Sequence, residues 1–285
     1  MKTKNDLILL FAALMAAPLF FSCKNQQQKN GIAYDSTIVV KHVPAIESSD
    51  TIFPYSDVNI RFTYPVKFRN DEDLTRLQQL FTETFFSDSL YTAYRPKEAL
   101  DKFIENYTDE YRTVVTGDDG YAIKEDTPED EISATAWFWM NCSNEILFQN
   151  DSLLSYAVRF NEYTGGAHGI NGTNCYCVNL SNLTLLTEED IFKPDYRKEL
   201  PYILLRRVMA AYRVSEPDGL TEEGFYGNDI APNGNFWLDD KGVHYAFNPY
   251  EIASPPLGVI TVDVPYSELT SILKPESVVS VFLKK

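Results

Sequence analysis

Arg159-Phe160-Asn161-Glu162-Tyr163-Thr164-Gly165-Gly166-Ala167-His168-Gly169 is the stretch around which the chain is organised. The run leading into it, residues 155–163, alternates apolar and polar side chains as a half-buried strand does, and residues 173–180 repeat that pattern. Gly165, Gly166 and Gly169 fall within five residues. That density marks a special turn, with backbone at positive φ or in close approach to a neighbour. The stretch is therefore a corner between two strands, and its Gly165, Gly166, His168 and Gly169 read as a structural motif.

Upstream of the corner, residues 37–42 and 58–68 carry strand periodicity, with Ile60, Phe62 and Tyr64 alternating against Asn59, Arg61 and Thr63. The period then changes. Residues 71–86 place Leu74, Leu77, Leu80, Phe81 and Phe85 at three- and four-residue spacing behind an acidic first turn, which predicts an amphipathic helix. A second helix begins near Arg95 with Pro96 at its first position. Its stripe of Leu100, Phe103, Ile104, Tyr107 and Tyr111 reads as core. Residues 133–141, 145–149, 152–163 and 173–180 then give a meander of four strands.

Downstream, Thr187 followed by Asp190 marks a short capped turn, and residues 196–212 a longer helix. A Gly/Pro-rich loop covers residues 216–235. Strands are expected at 236–238, 243–247, 259–264 and 277–283, with a short helix at 267–273. The fold class is α+β: antiparallel meander sheets with packed helices, in two sequential α+β subdomains, residues 36–180 and 181–285.

Lys2 and Lys4 precede an apolar run that ends at Leu19-Phe20-Phe21-Ser22-Cys23. The run is short for a membrane span and has the charge order of a secretory leader. Residues 1–22 are expected to be a lipoprotein signal peptide, Cys23 the lipidated residue, and residues 23–35 a flexible tether. These place the protein in the cell envelope, lipid-anchored to the outer face of a bacterial membrane, with an outer-membrane lipoprotein expected.

The formal net charge is −16. That opposes nucleic-acid binding and favours a basic partner. The acidic stretch between Gly117 and Glu131 lacks the spacing of a calcium loop and reads as solvated. Cys142, Cys175 and Cys177 are odd in number for an oxidising compartment. Either Cys142 pairs with Cys175 or Cys177, or all three are buried thiols. Their spacing relative to His168 matches no zinc pattern, and no metal site or other cofactor is expected.

Catalysis by His168 would require a carboxylate such as Glu162 or Glu251 beside it. Ser271-Ile272-Leu273-Lys274 matches Ser-x-x-Lys, but Pro275 ends the segment and the companion motifs are missing. No catalytic residue is assigned. For binding, the loop residues Pro249, Tyr250 and Glu251 and the aromatics Phe225 and Tyr226 are the candidates, because aromatic side chains on loops anchor interfaces.

Tyr163-Thr164-Gly165-Gly166-Ala167-His168-Gly169, Leu186-Thr187-Glu188-Glu189-Asp190-Ile191-Phe192 and Phe247-Asn248-Pro249-Tyr250-Glu251-Ile252-Ala253, with Val264-Pro265-Tyr266-Ser267-Glu268-Leu269, carry a likeness. In this order they resemble the extracytoplasmic domain family of the anti-sigma factor RsiV, which also accompanies the PdaC deacetylase and occurs in bacterial lipoproteins. The resemblance implies a two-part α+β fold used for binding, the N-terminal part PdaC-like and the C-terminal part RsiV-like. It implies lysozyme, another basic protein or a cell-wall polymer as partner. The resulting expectation is a non-enzymatic binding module of the envelope. The alternative is an envelope glycan or peptide hydrolase using His168 with a carboxylate.

Overall fold

In the computed structural model, residues 31–47 and 53–283 are described. The leader, Cys23 and the tether up to residue 30 lie outside the described residues. Residues 33–35, expected in the tether, instead open strand β1 (Ala33–Pro44), whose Asp35 lies opposite Tyr64 on strand β2 (Tyr55–Lys67).

Two helices follow. Helix α1 (Asp71–Phe86) is capped by Asn70, whose Oδ1 accepts from the Asp73 amide at 2.9 Å, and carries three acids in its first turn, where the helix dipole favours them. It ends at Ser87 in the left-handed conformation. Helix α2 (Pro96–Thr116) begins with proline where no amide donor is needed, and the Arg95 amide donates back to Glu98. Strands β3 (Phe138–Gln149), β4 (Leu153–Tyr163), β5 (Ile170–Asn179) and the short β6 (Thr184–Leu185) complete a six-stranded sheet in the order β1-β2-β3-β4-β5-β6.

The fold class is α+β, and the sheet is mostly antiparallel. One pairing departs from the meander: β2 and β3 run parallel, with Ser56 opposite Phe138, because the α1–α2 layer intervenes and returns the chain in the same direction. The two strand segments expected at 133–141 and 145–149 are a single strand, β3, preceded by a helical turn at Ala134–Ala136.

The helices cover one face of the sheet. Leu77, Phe81 and Phe85 of α1 and Leu100, Ile104 and Tyr111 of α2 pack on Ile60, Phe62, Tyr156 and Val158. Phe81 stacks on Tyr156 at 4.3 Å between centroids, and the Tyr156 hydroxyl reaches Thr84 Oγ1 at 2.8 Å. Alternation along each strand sends the intervening residues to the other face.

On that other face sits a second core. After α3 (Glu188–Ile191), α4 (Leu200–Tyr212) packs against a three-stranded antiparallel sheet of β7 (Phe236–Leu238), β8 (Gly242–Phe247) and β9 (Ile260–Pro265). The helix expected over 196–212 is broken: a helical turn at Tyr196–Lys198 precedes α4, since Pro201 has no amide hydrogen for a continuing ladder. The expected strand at 277–283 is a helical turn, Val278–Val281, and the helix expected at 267–273 is only the turn Tyr266–Glu268. Leu153 and Cys177 of the large sheet join this second core, and Ser155 Oγ donates to the Leu238 carbonyl at 2.7 Å.

Asparagine side chains stitch the second unit to the edge of β5. Asn235 Oδ1 accepts from the Cys175 amide at 2.7 Å while its Nδ2 donates to the Thr173 carbonyl at 2.8 Å, so one side chain replaces a missing strand partner. Asn248 Oδ1 accepts from the Thr173 amide at 2.7 Å. An otherwise open sheet edge is thereby closed.

Of the two alternatives for the cysteines, the disulfide from Cys142 to Cys175 or Cys177 is not formed, and all three thiols are free, Cys175 and Cys177 buried and Cys142 partly so. Register explains why. Cys142 lies opposite Phe160 and packs in the helix-side core, whereas Cys175 and Cys177 face the second unit with β4 between. Two strands and opposite faces exceed the reach of a disulfide. Burial pushes each thiol up to about 12, so all three stay protonated near neutral pH and behave as small hydrophobes.

Candidate binding face

The second unit covers only part of the sheet face opposite the helices. On the remainder, register lines up side chains that are far apart in sequence. Asn59 lies opposite Asn141, Asn141 opposite Asn161, and Asn161 opposite Asn171, giving a row of asparagines across β2, β3, β4 and β5. Beside it runs a second row, Arg61, Ser143, Arg159 and Thr173, paired in the same order.

Both rows line one groove of about 640 Å3, with Ile38 of β1 and Val259 at its margins. Neighbouring strands are about 4.8 Å apart, so amide groups recur at that interval across the floor. Each amide presents donors and an acceptor, and each guanidinium a planar fork of donors. Glu145 holds Arg159 at 2.5 Å, while Arg61 forms no ion pair among the described residues. The groove thus concentrates positive charge and neutral hydrogen-bonding groups on a chain of net charge −16.

The loop after β8 is joined to the wall of this groove through the Asn248–Thr173 bond. The Glu251 amide donates to the Asn248 carbonyl at 3.0 Å, closing a four-residue turn with Pro249 and Tyr250 in its centre. Tyr250 has φ of 74°, a conformation usually left to glycine or asparagine at that turn position. Its ring is 55% exposed and stacks over His168, with centroids 6.2 Å apart. The two predicted elements, glycine corner and Pro249-Tyr250 loop, meet here.

His168 Nδ1 lies 3.0 Å from the Gly169 carbonyl and Nε2 3.3 Å from the Tyr250 hydroxyl. A carbonyl only accepts, so Nδ1 carries the proton and Nε2 accepts from the hydroxyl. Gly165 and Gly166 both have φ of 94°, and a side chain at Gly169 would strike the Glu162 carbonyl at 2.8 Å. The corner is built to this shape.

The pairing required for a hydrolytic His168 is not formed. Glu251 instead accepts from Asn233 Nδ2 at 2.7 Å, and Glu162 points to the helix side of the sheet, in line with Phe160 and Val158. Phe225, expected to be exposed, is 2% exposed and packs edge-on against Tyr212 at 4.8 Å, while Tyr226 is 60% exposed. The segment is extended, with the Tyr226 amide bonded to the Ile252 carbonyl, and consecutive extended residues point opposite ways. Hence only Tyr226 of the pair reaches solvent.

The asparagine and arginine rows are absent from the sequence-based candidates. Polar residues at alternate positions 59 and 61, 141 and 143, 159 and 161, and 171 and 173 were the available signal, but only register brings them together. Among the described residues, no helix is long and apolar enough to cross a membrane, and no group of three His, Cys, Asp or Glu could hold a metal ion.

Fold and face together define an α+β protein with two cores and a polar groove on an open sheet. The profile of a family described as Deacetylase PdaC matches residues 24–171, and that of a family described as a protein of unknown function (DUF3298) matches residues 189–267. The chain belongs to this PdaC/DUF3298-type domain family. A DUF3298-family crystal structure from Bacteroides fragilis is 30% identical, with a TM-score of 0.82 over 91% of this chain and 100% of that one. A DUF3298-family protein from Pseudomonas aeruginosa, 14% identical, shares the fold at a TM-score of 0.58 over 86% of this chain and 95% of its own. The peptidoglycan-N-acetylmuramic acid deacetylase PdaC of Bacillus subtilis is 29% identical over 126 residues. That match covers 41% of this chain and spans about a quarter (26%) of the deacetylase.

Proposed function

We propose that this chain is a non-enzymatic binding module of the cell envelope, lipid-anchored through Cys23, whose groove holds a cell-wall glycan. The observation that carries the reading is the double row of asparagine and arginine side chains on the open sheet. Amides at strand spacing match a ligand rich in hydroxyl and acetamido groups, and Arg61 and Arg159 match its carboxylates. The name of the Bacillus subtilis relative, a peptidoglycan deacetylase, supports the same ligand class. Tyr250 and His168 stack on the loop that Asn248 ties to Thr173 of the groove wall, an aromatic pair suited to the apolar face of a sugar ring.

Calorimetric titration with soluble peptidoglycan fragments, and separately with lysozyme, at two salt concentrations tests this. Saturable binding of the fragments is expected, weakened by about tenfold in Arg159→Ala and in Tyr250→Gly. Tyr250→Gly is informative because glycine relieves the positive φ. Loss of the ring stack and the flexibility of glycine offset that gain, leaving stability within about 1 kcal/mol of the parent. A fold of unchanged stability that binds as tightly without the ring would remove Tyr250 from the site. Binding of lysozyme with no response to glycan would overturn the glycan reading in favour of a basic protein partner.

A further inference from the structure

A different feature lies on the opposite face of the sheet. The α2 stripe expected to be core divides in two: Leu100, Ile104 and Tyr111 are buried, but Phe103 and Tyr107 are only partly so. Between α2 and the sheet they line a cavity of about 390 Å3, together with Tyr91, Tyr111, Phe138 and Glu162. A second cavity of about 320 Å3 adjoins it and shares Phe103, Met140 and Glu162.

The chemistry of the walls is specific. The tyrosine hydroxyls are engaged by the protein itself: Tyr107 with Ser56 at 2.6 Å, Tyr111 with the Ala136 carbonyl at 3.2 Å, and Tyr91 with Asn106 at 3.1 Å. These bonds fix the rings. The Glu162 carboxylate, by contrast, is half-buried and makes no side-chain hydrogen bond or ion pair to any described residue, and neither cavity is lined by lysine or arginine. An unpaired carboxylate beside aromatic rings is costly unless water or a ligand serves it. Glu110 adds a second negative charge to the wall.

We propose that this aromatic cavity binds an organic ammonium ion, its charge against Glu162 and its alkyl body among Phe103, Tyr107 and Phe138. A primary alkylammonium fits best, because it donates to the carboxylate and presents its positive end to ring faces. The acidic chain as a whole raises the local concentration of such cations. The site is separate from the asparagine groove, so the proposal stands or falls independently of the glycan reading.

The test is titration of the purified chain with n-hexylammonium and with 1-hexanol, its uncharged counterpart, followed by calorimetry. Hexylammonium is expected to saturate the protein about tenfold more tightly than hexanol. Glu162→Gln keeps the shape of the wall and breaks no hydrogen bond of the fold, and it should reduce hexylammonium affinity to that of hexanol. Phe103→Leu keeps an apolar wall without a ring face and should cost about two- to fivefold for the cation only. The proposal is overturned if hexylammonium does not saturate, if hexanol binds as well, or if folded Glu162→Gln binds hexylammonium like the parent.

Discussion

Glu188→Ala is expected to lower the unfolding free energy by about 3 kcal/mol. The Glu188 carboxylate is 3% exposed inside the second core. It accepts from the Tyr196 hydroxyl at 2.7 Å and from the Gly234 amide at 3.0 Å, with the Arg197 guanidinium 3.5 Å away. One side chain therefore fastens α3, the turn before α4 and the loop ahead of β7. Alanine would leave the Gly234 amide without its acceptor and the buried Tyr196 hydroxyl with only its longer bond to Glu189, at 3.1 Å. Arg197 is 60% exposed, so it stays hydrated and the loss falls short of that for a fully buried ion pair. Urea unfolding should show a lower midpoint with an unchanged slope. Glu188→Gln, which keeps an acceptor, should lose about half as much. An alanine variant within about 1 kcal/mol of the parent would mean that water replaces the carboxylate and that the network does not hold the core.

Asn235→Leu is expected to cost about 2–4 kcal/mol, since it keeps the branched shape of the side chain but orphans the Cys175 amide and the Thr173 carbonyl together. The effect should be local before it is global. Amide exchange at Cys175 should accelerate in the variant, while β3 and the centre of β4 keep their protection. Asn235→Asp is the sharper control, because it still accepts from Cys175 but sets a carboxylate oxygen against the Thr173 carbonyl. It should be no more stable than the leucine variant. Equal midpoints for Asn235→Leu and parent would show that the Asn235 bonds are not needed to dock the second unit on β5, the Asn248 bond and the apolar contacts sufficing.

Much of this architecture was legible in the sequence wherever a single element carries its own signal. The acidic first turn and the apolar spacing of residues 71–86 specify α1, and Pro96 marks the first position of α2. Gly165 and Gly166 announce the corner that the positive φ angles realise. What depends on pairing between distant segments was not legible. The parallel alignment of β2 and β3 follows from the helical crossover, and the cysteine partners follow from which face each strand presents. Phe225 and Tyr226 are both aromatic and adjacent, and only the extended backbone decides which one is buried. The asparagine row is the clearest case, because Asn59, Asn141, Asn161 and Asn171 acquire meaning through cross-strand alignment alone.

The parallel junction of β2 with β3 also bears on how the chain reaches this state. Strands β3, β4 and β5 are joined by short connections and can zip together locally, whereas Ser56 must find Phe138 across the whole length of α1 and α2. Closing that loop costs entropy before any contact rewards it, which places the attachment of the β1–β2 hairpin late in folding. Destabilising substitutions in β1 should then speed unfolding and leave the folding rate nearly unchanged, a difference that stopped-flow kinetics resolves. The groove, whose floor is shared between β2 and the later strands, would be the last part of the molecule to take shape.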